Sequence, residues 1–180
     1  GSMQAVEDSI AIEEPLEIII AVVGEERMPL GITMRTPSND RELVVGFMLT
    51  EGIIRHYDEI LSIEFVGPET ANYGLKNKVV LRLKSDKALD EKKFQRHFLT
   101  TSSCGICGKS AIETLGLMHK RETESAFPGI PHRILFKLSD TLKQQQIQFS
   151  ATGGQHAVGL YDNRGELVCI REDIGRHNAM

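Results

Sequence analysis

Residues 15–23 read PLEIIIAVV and residues 28–35 read MPLGITMR, and these two stretches decide the fold of the first half of the chain. Both are rich in β-branched and other apolar side chains, and a turn around Gly24-Glu25-Glu26 separates them, so they predict a β-hairpin. Two further strands are expected at 60–66 and 78–84, the second with alternating faces. With the helices described below, the order of elements predicts a mixed α/β protein.

A helix is predicted between the hairpin and the third strand. Asn39 and Glu42 have the spacing of a capping box, and residues 43–48 carry apolar side chains at helical spacing. Gly52 suits the left-handed position that ends many helices. Gly46 lies inside the helix, where glycine costs about 1 kcal/mol relative to alanine, and we therefore expect it to mark close packing.

The second half of the chain also mixes helices and strands. The predicted helices lie at 90–97, from about 109 and at 135–146, and the predicted strands at 157–161 and 167–171. The two strands flank a turn at Asp162-Asn163-Arg164-Gly165. Cys169 is expected to be a small buried side chain of the last strand. The composition shifts near residue 100, which predicts two domains, 1–100 and 101–180.

Composition and charge exclude several classes of protein. Of 180 residues, 41% are hydrophobic and 26% charged, which is ordinary for a globular protein. The net charge of −4 argues against a protein that coats nucleic acid. The longest apolar run, residues 18–23, is too short to cross a bilayer, and no signal peptide is recognisable. We therefore expect a cytoplasmic protein with neither a membrane nor a nucleic-acid partner.

The charge is unevenly distributed along the chain. Residues 1–60 carry twelve acidic and four basic side chains, whereas residues 61–180 carry thirteen acidic and seventeen basic ones. The basic excess is interpreted either as a solvated protein face or as a field that attracts an anionic ligand or an acidic partner.

The first chemical motif is Cys104-Gly105-Ile106-Cys107. Two thiols at this spacing can share a metal ion, form a disulfide or pass sulfur between them. A helix that begins just after the motif would direct its N–H groups at the cysteines. This would lower the thiol pKa toward neutrality and favour the nucleophilic thiolate.

Three functions of this cysteine pair stay open on the residues alone. Zinc needs four ligands and the chain has no second pair of this kind, so a zinc site requires a dimer that supplies two pairs. A thioredoxin-like dithiol should follow directly from a strand, and no strand is predicted there. The third function is a sulfur-carrying thiol on a loop of small residues.

Two further motifs are candidates for binding a polar, phosphate-bearing ligand. Thr152-Gly153-Gly154-Gln155-His156-Ala157 places a double glycine before a strand, which permits a positive φ or the close approach of a ligand. Arg171-Glu172-Asp173-Ile174-Gly175-Arg176-His177-Asn178 follows a strand, and its arginines can donate bidentate hydrogen bonds to phosphate. The alternatives are a structural, hydrogen-bonded His156 and a salt-bridged turn in the later motif.

Taken in order, these residues resemble the formate dehydrogenase accessory sulfurtransferase family of the FdhD/NarQ type. The matching parts are Glu14-Pro15-Leu16, Thr36-Pro37, Glu42-Leu43, Gly46-Phe47, Glu51-Gly52, Ser102-Ser103-Cys104-Gly105-Ile106-Cys107-Gly108, residues 149–157 and Glu172-Asp173-Ile174-Gly175-Arg176-His177-Asn178-Ala179. Members of that family continue past the last motif with an Asp-Lys pair and a further α/β segment. Because this sequence lacks both, the resemblance implies a second domain that is truncated at its C-terminus.

The resemblance implies a fold and an activity. The fold would be a small N-terminal α+β domain followed by a three-layer α/β domain similar to cytidine deaminases. The activity would be transfer of sulfur, held as a cysteine persulfide, from a cysteine desulfurase to the molybdenum cofactor in its bis-guanine-dinucleotide form for maturation of formate dehydrogenase. A homodimer is expected. Deaminase chemistry is not, because no histidine is followed two residues later by glutamate and Ser103 stands where the zinc motif has proline.

The resemblance also implies the site residues. Cys104 and Cys107 would be the catalytic pair, with Cys104 as the persulfide carrier. No metal and no permanently bound cofactor are expected, since the molybdenum cofactor is a substrate. The residues expected to bind that substrate are Gly153, Gly154, His156, Arg176, His177 and Asn178.

Overall fold

The structure is a computed structural model, and it describes residues 5–22, 26–70, 72–84 and 129–180. The strands in these ranges are β1 (Glu14–Val22), β2 (Met28–Arg35), β3 (Ile60–Glu69), β4 (Lys76–Leu83), β5 (His156–Tyr161) and β6 (Leu167–Asp173). The helices are α1 (Asp40–Thr50), α2 (His132–Gln145) and α3 (Ile147–Thr152), with a 3₁₀ helix at Tyr57–Glu59. The predicted mixed α/β class is therefore confirmed.

The first half of the chain forms a four-stranded sheet with the order β2-β1-β4-β3. β1 and β2 are the predicted antiparallel hairpin. β1 and β4 are parallel, with Ile18 opposite Val79, and β3 is antiparallel to β4. A parallel pair needs a long crossover, and α1 and β3 lie in the connection between β1 and β4.

The hydrophobic core lies on one face of this sheet. Alternate residues of β1 are buried because successive side chains of a strand point to opposite faces. The core side chains from β1, β4 and α1 are Leu16, Ile18, Ile20, Val22, Val79, Leu81, Leu83, Val44 and Met48. Each such side chain contributes roughly 1.5–3 kcal/mol when it is fully buried. This cluster holds α1 against the sheet and thereby positions the start of α1.

α1 differs from the expectation in two respects. Asn39 is the N-cap residue, but its side chain makes no capping hydrogen bond and donates instead to the Ser38 hydroxyl at 3.3 Å. The predicted capping box is therefore wrong, because Glu42 binds a distant arginine. The close packing expected at Gly46 is also not found in the described part of the chain, where a Cβ on Gly46 would meet nothing within 4 Å. Gly52 has φ 68°, so its predicted left-handed conformation is confirmed.

β5 and β6 form an antiparallel hairpin around the predicted turn. The Asp162 carboxylate accepts hydrogen bonds from the Arg164 and Glu166 amides at 2.8 and 2.9 Å, which fixes the turn. α2 packs on one face of the hairpin, where the Tyr161 hydroxyl donates to the Leu138 carbonyl at 2.9 Å. A Cβ on Gly159 would lie 2.9 Å from a Leu142 methyl, so glycine allows this helix to approach the strand closely.

The prediction that Cys169 is buried is wrong. Cys169 is exposed, and it lies directly opposite Leu160, which is 59% exposed. Gly159, next to Leu160 along β5, faces α2 instead. Since α2 covers only one face of the hairpin, strand periodicity places Cys169 on the opposite face, where it is exposed.

Several predictions fall outside the described residues. These are the helices at 90–97 and from about 109, the cysteine motif at 104–107, and the domain boundary at residue 100. The division into domains 1–100 and 101–180 stays a prediction. Within the described residues, no helix combines the length and the hydrophobicity needed to span a bilayer.

Candidate functional site

The pairing of β5 with β6 brings two of the predicted motifs together. His156, the first residue of β5, lies opposite Asp173, the last residue of β6. Gly153 and Gly154 lie just before β5, separated from it only by Gln155, and residues 174–178 immediately follow β6. The six residues predicted to bind the substrate therefore lie at one end of the hairpin.

The double glycine has two distinct roles. Gly153 has φ 66° and ends α3, and its amide donates to the Phe149 carbonyl at 2.7 Å. A positive φ was one of the two alternatives that the double glycine left open, and the left-handed conformation at a helix end favours glycine. Gly154 lies beside the N-terminal segment of the chain, because a Cβ there would be 3.4 Å from the Ala11 Cβ.

Glu172 caps α3. Its carboxylate accepts hydrogen bonds from the Gln148 amide at 3.0 Å and from the Phe149 amide at 2.8 Å. Both amides lie in the first turn of α3, where no intrahelical acceptor is available. Sequence reasoning missed this role because the acceptor lies more than twenty residues after the donors.

Arg171 forms an ion pair with Glu42 of α1. Arg171 Nη2 donates to Glu42 Oε1 at 2.8 Å, and Arg171 Nε donates to Glu42 Oε2. The hydrogen bonds that Arg171 donates hold the pKa of Glu42 below its usual value, and the same hydrogen bonds raise the pKa of Arg171. The pair therefore links β6 to α1 and leaves Glu42 unable to cap its own helix.

Asp173 is a carboxylate that is only 5% exposed. Its Oδ2 accepts from the Thr36 amide at 2.9 Å, and its Oδ1 accepts from the Gly175 amide at 2.7 Å and from Asn178 Nδ2 at 3.1 Å. Burial raises the pKa of Asp173, while these hydrogen bonds and the charge of Arg35 oppose that shift. A carboxylate is the form that accepts all three hydrogen bonds.

Thr36 directly follows β2 and donates its backbone amide to Asp173. Its hydroxyl accepts from the Ile174 amide and from Gln155 Nε2, both at 3.1 Å. Thr36 and Gln155 are both buried. The Thr36-Pro37 motif therefore joins the end of β2 to both of the later motifs.

Arg35 is fully buried next to this contact. Its Nε and Nη2 donate to the two carboxylate oxygens of Asp40 at 2.8 and 2.9 Å, and its Nη1 donates to the Glu14 carbonyl at 3.1 Å. Asp40 is the first residue of α1. The bidentate pair therefore ties the end of β2 to the start of α1 and to the start of β1.

The residues of the last motif differ in their exposure. Asn178 Nδ2 donates to the Met34 carbonyl at 2.7 Å as well as to Asp173, and Asn178 Oδ1 accepts from the Thr33 hydroxyl at 3.3 Å. Both amide hydrogens are thus used within the protein. Arg176, His177 and the earlier His156 are exposed.

A small cavity lies where these contacts meet. Its volume is about 30 Å³, which is room for about two water molecules. Its lining is Thr36, Ser38, Asn39, Asp40, Leu43, Arg171, Glu172, Asp173 and Asn178. The cavity is too small for a nucleotide, so a large ligand at this end of the hairpin would contact exposed residues.

The predicted catalytic pair, Cys104 and Cys107, lies outside the described residues. Among the residues that the structure does describe, no three His, Cys, Asp or Glu side chains are grouped closely enough to hold a metal ion.

Comparison with known proteins identifies the family. The model of the FdhD/NarQ family matches residues 11–180, which is almost the whole chain. The chain belongs to the FdhD/NarQ family. The resemblance inferred from the motifs is therefore confirmed.

Curated relatives of this FdhD/NarQ chain are named sulfur carrier protein FdhD. The relative from Streptomyces avermitilis is 36% identical over 100% of this chain and 63% of its own length. That from Corynebacterium efficiens is 39% identical over 96% of this chain and 61% of its own length. That from Sulfurisphaera tokodaii is 36% identical over 98% and 62%. The chain thus spans about three fifths of the length of these relatives.

A solved structure has the same fold. It is a crystal structure of a protein from Desulfotalea psychrophila assigned as a formate dehydrogenase accessory protein, with a TM-score of 0.62 at 20% identity. The match covers 98% of this chain and 58% of the other. At this identity, the likeness supports the mixed α/β fold.

Proposed function

We propose that this protein is a sulfurtransferase that carries sulfur as a cysteine persulfide from a cysteine desulfurase to the molybdenum cofactor in its bis-guanine-dinucleotide form. The observation that carries this proposal is membership of the FdhD/NarQ family, whose curated relatives are named sulfur carrier proteins, in a chain that has a Cys-Gly-Ile-Cys motif. A sulfur carrier needs an accessible thiol, and small residues surround this motif on both sides.

The chemistry assigns different roles to the two thiols. The Cys104 thiolate attacks the outer sulfur of the donor persulfide, the donor's S–S bond breaks, and the donor cysteine leaves as a thiolate. Cys104 then carries the persulfide. Attack of the Cys107 thiolate on the inner sulfur of that persulfide would release hydrosulfide and leave a Cys104–Cys107 disulfide. Every electron is accounted for without an external oxidant.

The substrate would bind at the end of the β5–β6 hairpin. Exposed Arg176 and His177 supply hydrogen-bond donors for the phosphates of a dinucleotide, and Gly153 lies at the same end. The finished cofactor would be inserted into formate dehydrogenase. This proposal includes a homodimer in the cytoplasm and a three-layer, cytidine-deaminase-like arrangement of the domain at 101–180.

Persulfide loading tests the proposal. The chain is incubated with a cysteine desulfurase and cysteine, and its intact mass is measured without reductant. Wild type should gain about 32 Da for each added sulfur atom. Cys104→Ala should show no such increase in mass. Cys169→Ser is the matched control, because Cys169 is an exposed cysteine outside the motif, and this variant should keep the gain.

Two outcomes would contradict the proposal. One is a wild-type protein that gains no sulfur. The other is a gain that survives when Cys104 and Cys107 are both replaced by alanine. Elemental analysis of the purified protein distinguishes the sulfur carrier from a zinc-linked dimer. Stoichiometric zinc that is present in the wild type and absent from Cys104→Ala would identify the dimer.

A further inference from the structure

We propose that Thr36, Asp173 and Asn178 form a polar joint that positions the turn at residues 174–178, so that Arg176 and His177 are presented to a phosphate-bearing ligand. The three residues of the joint are positioning residues, whereas Arg176 and His177 touch the ligand. The identity of the ligand as a guanine nucleotide rests on the proposed function. The geometry of the joint does not.

The joint holds the turn at both of its ends. Asp173 Oδ1 accepts from the Gly175 amide at 2.7 Å and from the Asn178 side chain at 3.1 Å. The Asn178 and Ala179 amides both donate to the Gly175 carbonyl, at 3.0 and 3.1 Å. A Cβ on Gly175 would lie 3.1 Å from Asn178 Nδ2, so the turn closes around a glycine. Arg176 and His177 are the residues enclosed by these hydrogen bonds.

The joint also anchors the turn to the first sheet. The Thr36 amide donates to Asp173 Oδ2 at 2.9 Å, and Asn178 Nδ2 donates to the Met34 carbonyl at 2.7 Å. Both partners come from β2 or the residue after it, more than 130 residues earlier in the chain. The four-stranded sheet is therefore the support on which the turn is fixed.

The positioning residues differ from the ligand-contacting residues in their exposure. Asp173 and Thr36 are buried, and both amide hydrogens of Asn178 are used inside the protein. A ligand that took a hydrogen from Asn178 would have to leave the Met34 carbonyl or Asp173 unsatisfied, which is unfavourable. Arg176 and His177 are exposed. Fixing the turn before binding removes the cost of ordering it when the ligand arrives.

Coupling between two substitutions tests this assignment. Binding of guanosine diphosphate is measured by isothermal titration calorimetry for wild type, Asn178→Ala, Arg176→Ala and the double variant. Each single variant should bind about tenfold more weakly. Asn178 acts through the turn that carries Arg176. The affinity of the double variant for guanosine diphosphate should therefore fall by much less than the product of the two single fold-losses. Losses that multiply would make Asn178 an independent ligand contact and overturn the proposal.

Amide hydrogen exchange without ligand gives a second readout. Exchange at Gly175 and Ala179 should accelerate at least tenfold in Asn178→Ala and stay unchanged in Arg176→Ala. Unchanged exchange in Asn178→Ala would overturn the proposal, as would accelerated exchange with unaltered nucleotide affinity. Asn163→Ala and Arg164→Ala, at the opposite end of the hairpin, are the matched controls and should alter neither measurement.

The failure of this inference and that of the proposed function give different results. A wild-type protein that gains sulfur but does not bind guanosine diphosphate overturns the inference alone. A protein that shows the expected coupling but gains no sulfur overturns persulfide transfer alone. Circular dichroism identifies any variant that does not fold. If Asn178→Ala does not fold, Thr36→Val takes its place, because valine keeps the shape of threonine but lacks its hydroxyl.

Discussion

Arg35→Ala should destabilise the protein more than any substitution of a surface arginine. The guanidinium is fully buried and donates two hydrogen bonds, of 2.8 and 2.9 Å, to Asp40, which is itself only 6% exposed. Alanine would leave the Asp40 carboxylate buried without its partner, and breaking a buried ion pair in this way costs about 3–5 kcal/mol. This is a large part of the roughly 5–15 kcal/mol that stabilises an ordinary domain.

Urea unfolding at pH 7, followed by circular dichroism, measures this loss. Arg82→Ala is the matched control, because Arg82 binds Glu64 at 3.0 Å with about two fifths of each side chain exposed. The control should change the free energy of unfolding only slightly, since water and salt screen such pairs.

A double variant isolates the pair itself. Arg35→Ala combined with Asp40→Ala removes the orphaned charge, so the combined loss should fall short of the sum of the single losses by about 1–3 kcal/mol. A loss below about 1 kcal/mol in Arg35→Ala, or strictly additive losses, would refute the reasoning that this pair is buried and coupled.

Three further substitutions test local features. Glu42→Gln should lower the free energy of unfolding by at most about 1 kcal/mol above pH 4.5, because the variant loses the ion pair with Arg171. The difference from wild type should vanish as pH falls through the lowered pKa of Glu42, because protonation ends the same pairing in the wild type. Equal stabilities at pH 7 would contradict this. Gly153→Ala should cost about 1–2 kcal/mol in thermal unfolding, since its φ is 66°. Gly46→Ala should instead raise the free energy of unfolding by about 0.5–1 kcal/mol, because this helical position has space for a methyl group among the described residues. A decrease in the free energy of unfolding would contradict this.

Features that depend on neighbouring residues were predictable from the sequence. The β1–β2 hairpin, α1 and the β5–β6 hairpin follow from apolar periodicity and turn residues. The positive φ of Gly52 follows from the preference for glycine at helix ends. The ordered motifs also identified the family, which the comparison confirmed.

The wrong predictions all concern contacts, made or missing, between segments that are distant in the chain. Asn39 and Glu42 had capping-box spacing, but Glu42 pairs with Arg171, 129 residues away. Gly46 implied a close neighbour, but a Cβ on Gly46 would meet none within 4 Å among the residues that the structure describes. Cys169 had the surroundings of a buried strand residue, but it lies on the face of the hairpin opposite α2. Local patterns report periodicity and say nothing about which face another element covers.

The linear order of residues was enough to predict the two hairpins, α1, the family and the cysteine pair as the candidate for chemistry. Only the folded chain distinguished the roles within the last motif. It placed Arg171, Glu172 and Asp173 in contacts with α1, α3 and Thr36, and it left Arg176 and His177 exposed. The physical reason is that secondary structure follows from short-range sterics and hydrogen bonding, whereas the partner of a buried polar group is chosen by packing between distant segments.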